Sequence, residues 1–438
     1  MRKIAFLLVF WFSSLYVVQA QVASYGFNSG DPAEVGMLNH RLEMASDLID
    51  RYVDEGKLPG GVFIAARYGQ IVFQKTAGDR SEKDSAPYRL DDIFRIASMT
   101  KAVTTVAVLQ LYEDGLLGID DPVHQYLPEF KDQKVLVSFN DTDSTYATEA
   151  VVRPVTIRHL LTHTSGISYG EFNPGSTMAI YQKFDLLNRG LNHPSESSAE
   201  FVSRLAAAPL MYQPGEQYAY GLNMDVLGRI VEVVSKKNLQ AYFKSRIFEP
   251  LGMVDTWFYL PSDRHDRLVP VYTVNQSGEF LQASFDGVTG SDMNYALNPE
   301  HDFYAGGGGL VSTAYDYARF LQALLNNGML NGERILGRKA IEMMTSDQMI
   351  LLNRLGKGMS QRQGESMGFG LALVLEDGQA IGSKSTGTYE WAGYFNTRFF
   401  VDPNEGFIFV GMTQVAPFPN GGFWNRLYAL LYSAIEEY

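Results

Sequence analysis

The sequence predicts an α+β fold, with one lobe built on a β-sheet and a second lobe that is mostly helical. Three observations lead there. Short β-rich runs around turns occur near both ends of the chain, helix-length segments fill the middle, and the last segment is an amphipathic helix suited to lie on a sheet. With 438 residues at 46% hydrophobic and 19% charged, the chain has apolar material for a large core, which excludes disordered and fibrous classes. Only 17 prolines and no Ser/Pro-rich stretch argue for one compact body over a string of separate domains. The balance of 36 basic against 49 acidic residues, a net charge of −13, makes nucleic acid and anionic membrane poor partners.

Taken in order, the first twenty residues read as an export signal that is not part of the fold. Arg2 and Lys3 form a basic start, Ile4 to Val18 is apolar, and Val18-Gln19-Ala20 ends in a small residue, so the mature chain is expected to begin at Gln21. Fifteen apolar residues are short for a bilayer span, no basic stop-transfer cluster follows, and later apolar runs break within ~12 residues, below the ~20 a span needs. A periplasmic or secreted location in a bacterium is the expectation. Zero cysteine removes disulfides and thiol catalysis.

Residues 61–66 and 71–76 flank the turn Arg67-Tyr-Gly-Gln70 and predict a hairpin. Helices are expected over Lys101–Asp114, around Val155–Thr162, and over Met224–Val234, Leu239–Phe248 and Ala314–Leu325. Thr397–Val401 and Phe407–Met412 bracket the turn signal Asp402-Pro-Asn-Glu-Gly406, and Phe423–Glu437 puts Phe423, Leu427, Leu430, Leu431 and Ala434 on one helix face. The expected division is a sheet lobe from residues 21–95 and 300–438 and a mostly helical lobe from 96–299.

The chemistry begins at Phe94-Arg-Ile-Ala-Ser98-Met-Thr-Lys101. Positions three apart on a helix differ by ~60° around the axis, so the Ser98 hydroxyl and the Lys101 amine share a face and can exchange a proton. The residues that follow are apolar almost all round, as in a helix sunk in a core. A serine in a first turn also aims its own N–H at what it attacks, which suits an oxyanion hole. The bare S-x-x-K pattern is weak, since on the order of one or two matches are expected by chance. The bland alternative is a serine helix cap followed by an exposed lysine.

The surrounding residues are more specific. Phe94–Lys101, Leu111–Val123, Gln125-Tyr-Leu-Pro128, Val155–Gly166, Asp225–Glu232, Glu249–Met253, Gly306–Thr313 and Phe399-Phe-Val-Asp-Pro403 together resemble the serine hydrolase superfamily of class C β-lactamases, penicillin-binding peptidases and their esterase relatives. The resemblance runs from about Gly60 to the C-terminal helix and implies the β-lactamase/DD-peptidase fold: a five-stranded antiparallel sheet flanked by helices, beside a mostly helical lobe.

It also implies a second motif, a tyrosine usually found in Y-x-N. Tyr220, eight residues before Gly228, fits an esterase-like form of it better than Tyr218 does. The third position is Leu222, with Asn223 one residue late, and both are expected beside substrate; loss of the asparagine speaks against β-lactam as substrate. For the third motif, K-T-G or H-x-G in relatives, Trp391-Ala-Gly393 resembles the W-G-G of esterase-like members. Lys384-Ser-Thr-Gly387 is the competing match, with an extra residue. Trp391 and Gly393 then border the substrate, and the N–H groups of Ser98 and Tyr394 form the oxyanion hole.

Other patterns carry less. Gly166-Ile-Ser168-Tyr-Gly170 spells G-x-S-x-G but lacks the strand before and helix after that a nucleophile elbow requires. His159 and His163 are spaced like zinc ligands without the glutamate, and read as capping or core histidines. Gly306–Gly309 lacks the lysine of a phosphate loop and reads as close backbone packing. The insertion from Gly170 to Pro209, with Tyr181 and Phe184, is expected to shape the substrate mouth.

The reading is therefore a metal-free, cofactor-free serine hydrolase in which Lys101 and Tyr220 activate Ser98 toward a small ester. Amide, D-amino-acid peptide or β-lactam hydrolysis is the alternative, and a penicillin-binding or sensor protein is the alternative of another class.

Overall fold

The structure, a computed structural model, describes residues 26–81, 86–187, 191, 196–283, 292–298, 302–359, 364–380 and 382–436. The export signal expected at 1–20 lies outside the described residues.

A nine-stranded sheet organises the molecule. Its strands are β1 (Asn28–Ser29), β2 (Gly60–Arg67), β3 (Gln70–Ser81), β4 (Ala86–Pro87), β5 (Glu365–Met367), β6 (Ala372–Val374), β7 (Tyr389–Ala392), β8 (Arg398–Asp402) and β9 (Phe407–Met412). They run in the order β1-β3-β2-β9-β8-β7-β6-β5, with β4 on β3, and all pairs are antiparallel except β1 with β3. The expected five strands correspond to β2, β3, β7, β8 and β9. The sheet is wider because β1, β4, β5 and β6 add two or three residues each at its margins, too few to show an alternating pattern in the sequence.

The alternation along β2 explains the layers. Val62, Ile64 and Ala66 point into the larger core, whereas Phe63 and Ala65 point into a second core on the other face. That second core is closed by α1 (Asn39–Asp54) and the C-terminal α5 (Gly422–Tyr432), whose Phe423, Trp424, Leu427 and Leu431 pack on Phe400 and Phe409 of the sheet. Fully burying one such side chain contributes about 1.5–3 kcal/mol.

On the opposite face α4 (Ala314–Leu325) packs directly on the sheet, and behind it α2 (Thr100–Glu113) packs on α3 (Asn223–Ser235). From Thr100 to Leu111 every residue of α2 is buried, which matches its nearly continuous apolar sequence.

Some local expectations are corrected. The helix near Val155–Thr162 is only Ile157–Leu161, because Pro154 precedes it and His163 takes positive φ directly after. Leu239–Phe248 is an α-helix to Phe243 and then a π-helical turn from Lys244. The middle of the chain also carries two hairpins, Lys134–Phe139 with Tyr146–Ala150 and Val271–Val274 with Phe280–Ala283. Among the described residues no helix is long and apolar enough to cross a membrane.

Candidate active site

Ser98 lies in the 3-10 turn Ala97–Met99 that leads into α2. The preceding Ala97 has φ +42°, an uncommon backbone state for a residue with a side chain, and the buried packing around it holds that state in place. One turn on, Lys101 is fully buried. Its Nζ donates to Ser98 Oγ at 3.1 Å, to the Gly307 carbonyl at 2.7 Å and to the Tyr169 hydroxyl at 3.3 Å. From the loop ahead of α3, the Tyr220 hydroxyl donates to Ser98 Oγ at 2.7 Å, and Lys101 Nζ lies 4.8 Å from the Tyr220 ring centre. Ser98 Oγ is thus held between an amine and a phenol, the two groups the sequence assigns to proton transfer.

Ser98 and Tyr220 open into a cavity of about 710 Å³ whose walls include Tyr169, Phe172, Trp391, Gly393 and Tyr394. Trp391 is the next-to-last residue of β7, with its ring 5.7 Å from that of Tyr220. A side chain at Gly393 would overlap the Ile96 carbonyl oxygen, so glycine is what allows the end of β7 to lie against the Ser98 turn. The Gly393 N–H is taken by the Thr397 carbonyl at 2.8 Å, closing a tight turn that carries Tyr394 to the cavity wall.

Leu222 and Asn223 lie elsewhere. Both are fully buried and absent from the cavity wall, a correction to the expectation that they stand beside substrate. Asn223 is the first residue of α3; its amide donates to the Ile167 carbonyl and meets His163 Nδ1 at 2.9 Å, while its oxygen accepts from Ser165. The mouth also differs from expectation. Tyr181 is buried, its hydroxyl accepting from the Ser168 N–H, and Phe184 packs on the core, whereas Phe172 and Leu191 of the same insertion reach the cavity.

The weaker patterns find structural roles. Ser168 Oγ accepts from the Asn173 amide at 3.0 Å and follows no strand. His159 completes the capping box of its short helix, and burial takes its imidazole down to about 4. His163 is wholly buried, with its pKa well below the usual histidine range through burial and the nearby Lys101; its Nδ1 accepts from the Gly221 N–H at 3.4 Å and so braces the Tyr220 loop. Lys384 pairs with Glu390 and is not part of the cavity wall. Among the described residues no three His, Asp or Glu side chains stand together as metal ligands.

Two residues of the site have no sequence expectation. Tyr169 hides inside the Gly166–Gly170 pattern, and burial together with Tyr220 pushes its phenol well above the ordinary range, so it stays neutral beside Lys101. Asp225, in the first turn of α3, is buried; Oδ1 accepts from the Gly307 N–H at 3.0 Å, and Oδ2 has no hydrogen-bond partner among the described residues. Gly307 therefore joins Asp225, through its N–H, to Lys101, through its carbonyl. The glycine run fits tightly here, since Gly306 lies against Met224 and Gly228 and its carbonyl accepts from Thr104 Oγ1 at 2.6 Å.

The profile of the Beta-lactamase family matches residues 45–433. The chain belongs to the Beta-lactamase family. Within it, the chain is 33% identical to a lovastatin esterase of Penicillium rubens over 83% of this chain and 90% of that protein. It is 30% identical to esterase EstB of Burkholderia gladioli, over 84% and 89% of the two chains. The solved structure of EstCE1, described as a hydrolase with promiscuous acyltransferase activity, superposes with a TM-score of 0.74 at 26% identity, covering 90% of this chain and 98% of its own. These relatives and the family match make the chain a serine hydrolase with the β-lactamase/DD-peptidase fold, on the ester-hydrolase and acyl-transfer side of the superfamily.

Proposed function

We propose that this chain hydrolyses small carboxylic esters through a covalent acyl-enzyme on Ser98. The observation that carries the reading is Ser98 Oγ held at 2.7 Å from the Tyr220 hydroxyl and 3.1 Å from the Lys101 amine at the wall of an aromatic cavity. Lys101 and Tyr220 take the serine proton as Oγ attacks the ester carbonyl. The N–H groups of Ser98 and Tyr394 receive the oxyanion. Tyr220, backed by Lys101, returns a proton to the departing alcohol, and the same pair activates the water that releases the acid. Neutral Tyr169 and the Gly307 carbonyl hold the Lys101 amine at the point of exchange.

Ester is preferred over β-lactam because the motif position that holds asparagine in β-lactamases is Leu222, which is buried and off the cavity wall, so that asparagine's contact to a substrate amide is missing. A polar group left unpaired in a closed site costs about 1–3 kcal/mol, roughly ten- to a hundredfold. Trp391 walls the cavity where K-T-G relatives carry their lysine, and it suits an apolar or aromatic acyl group. Export across the inner membrane is part of the same proposal and rests on residues 1–20 alone.

The test compares turnover of short-chain p-nitrophenyl esters with that of nitrocefin and a D-alanyl peptide, for the wild type and Ser98→Ala. The expectation is ester hydrolysis well above β-lactam hydrolysis and its loss, by about a thousandfold or more, on Ser98→Ala. Efficient nitrocefin hydrolysis exceeding that of esters would overturn the substrate assignment, and ester turnover retained by Ser98→Ala would overturn the nucleophile.

A further inference from the structure

The Gly306–Gly309 run is tied to both α2 and α3. On the α2 side Thr104 Oγ1 donates to the Gly306 carbonyl at 2.6 Å, and Thr100 Oγ1 accepts from the Leu310 N–H at 3.1 Å. Between these two points the Gly307 carbonyl takes the shortest of the three Lys101 donations, at 2.7 Å. On the α3 side the Asp225 carboxylate answers, with Oδ1 accepting from the Gly307 N–H at 3.0 Å. A Cβ on Gly307 would come within 2.7 Å of Asp225 Oδ2, so the run lies flush on the carboxylate.

Holding the Gly307 N–H takes one neutral acceptor and no charge. Asp225 brings more: a second oxygen, buried and without a hydrogen-bond partner among the described residues, and a negative charge that burial disfavours. Burial raises its carboxyl to about 6 and the Lys101 charge draws it back down, so it is ionised above neutrality. Glu171, from the loop that carries Tyr169, acts on it in the opposite sense to Lys101. Around Lys101 stand also the phenols of Tyr169 and Tyr220 and the buried, neutral imidazole of His163. A carboxylate kept in place at the cost of an unpaired buried oxygen has a use for its charge, and the cation that feels it is Lys101.

We propose that Asp225 is a positioning residue for the Lys101 base: it fixes the Gly307 carbonyl against the amine and lends its negative charge to the ammonium formed when Lys101 takes the serine proton. In that step the Ser98 O–H bond breaks, its proton joins Lys101 Nζ, and Oγ bonds to the ester carbonyl carbon. Positive charge thus appears on a fully buried amine as the oxyanion forms. A carboxylate one residue behind the nearest acceptor of that ammonium stabilises it where solvent does not reach, as a third group does behind the base of other activated nucleophiles. Asp225 is absent from the cavity wall, so it acts through Lys101 and not on substrate. This deepens the reading of Lys101 as the base of Ser98 and rests on it.

The test is the pH dependence of kcat and KM for p-nitrophenyl butyrate in the full chain and in Asp225→Asn, which keeps an acceptor for the Gly307 N–H and removes the charge. Without the carboxylate the ammonium is less stabilised, so the amine is reached at lower pH and is a weaker base. The acid limb of kcat/KM should move down by about half a pH unit or more, and kcat on the high-pH plateau should fall about tenfold or more, with KM within about twofold of the parent's. Asp225→Glu keeps the charge and should hold the limb at the parent's position. An unchanged profile in Asp225→Asn, a plateau lost with the limb unmoved, or a change confined to KM would overturn the proposal. Should Asp225→Asn not fold, the glutamate variant decides: a limb at the parent's position supports the proposal, and one displaced downward overturns it. A readout without turnover is 13C NMR of lysine Cε in Ser98→Ala, with the Lys101 signal assigned by its loss in Lys101→Arg. Adding Asp225→Asn should make Lys101 titrate at lower pH, and no displacement overturns the proposal even where kcat falls. The displacement together with ester turnover that survives Ser98→Ala would refute the nucleophile and leave the coupling of Asp225 to Lys101 standing.

Discussion

At the scale of single residues, the site depends on where one proton can go. Lys101 is enclosed and makes three donations, to Ser98 Oγ, the Tyr169 hydroxyl and the Gly307 carbonyl, and the first of these is the one the proposed proton transfer uses. Guanidinium does not deprotonate in proteins, so Lys101→Arg should lower kcat for p-nitrophenyl butyrate about as far as Lys101→Met does, with circular dichroism reporting the fold of both. An arginine variant with near-native kcat would mean that the residue acts only as a positive charge.

Asp225 makes a second prediction at this scale. Burial raises its carboxyl to about 6, against 3.8 for the free side chain. Between those values the folded state holds a proton that the unfolded state has released, so this group's stabilisation is complete below the lower value and is lost as pH rises through the higher one. Asp225→Asn keeps the acceptor for the Gly307 N–H and removes the titration. Denaturant midpoints should show the wild type losing stability relative to Asp225→Asn from pH 4 toward pH 7, and a constant difference across that range would contradict the assignment.

That Ser98, Lys101 and Tyr220 meet was legible because helical spacing and the neighbouring motifs single them out. Tyr169 and Asp225 were not: their approach to Lys101 is made by tertiary packing through a glycine run, which leaves no periodic trace in the sequence. Leu222 and Asn223 were misread for a related reason. The entry into α3 turns both inward, and chain spacing alone does not say to which side a loop residue points.

At the scale of elements, the hairpin at residues 61–76, the strands on either side of Asp402–Gly406 and the C-terminal helix were all legible, because each carries its own alternation or amphipathic face. The short strands β1, β4, β5 and β6 were not, since two or three residues hold no period. The element that matters most to chemistry is the end of β7. Gly393 lets it touch the Ile96 carbonyl, and any side chain there must push the Ser98 turn and β7 apart. Gly393→Ala should therefore lower kcat and cost about 1–3 kcal/mol of stability, read from denaturant unfolding. An alanine variant with unchanged kcat and midpoint would show that the approach is not required.

At the scale of the whole molecule, the site is an assembly from distant parts of the chain. The pairing of β2 with β9 joins its two ends into one sheet, so β7 comes up beside the Ser98 turn, while the helices between bring in Tyr220. Cores on both sheet faces hold that arrangement rigid, which a covalent mechanism requires of its nucleophile, base and oxyanion donors alike. The central claim is that a substrate acyl group passes through Ser98. It is tested most directly by rapid acid quench of the enzyme with p-nitrophenyl butyrate, followed by intact-mass and peptide mass analysis. The account predicts one butyryl group per chain on the peptide containing Ser98, and none in Ser98→Ala. A butyryl group on the Ser168 peptide, or ester turnover with label that Ser98→Ala still acquires, would contradict it.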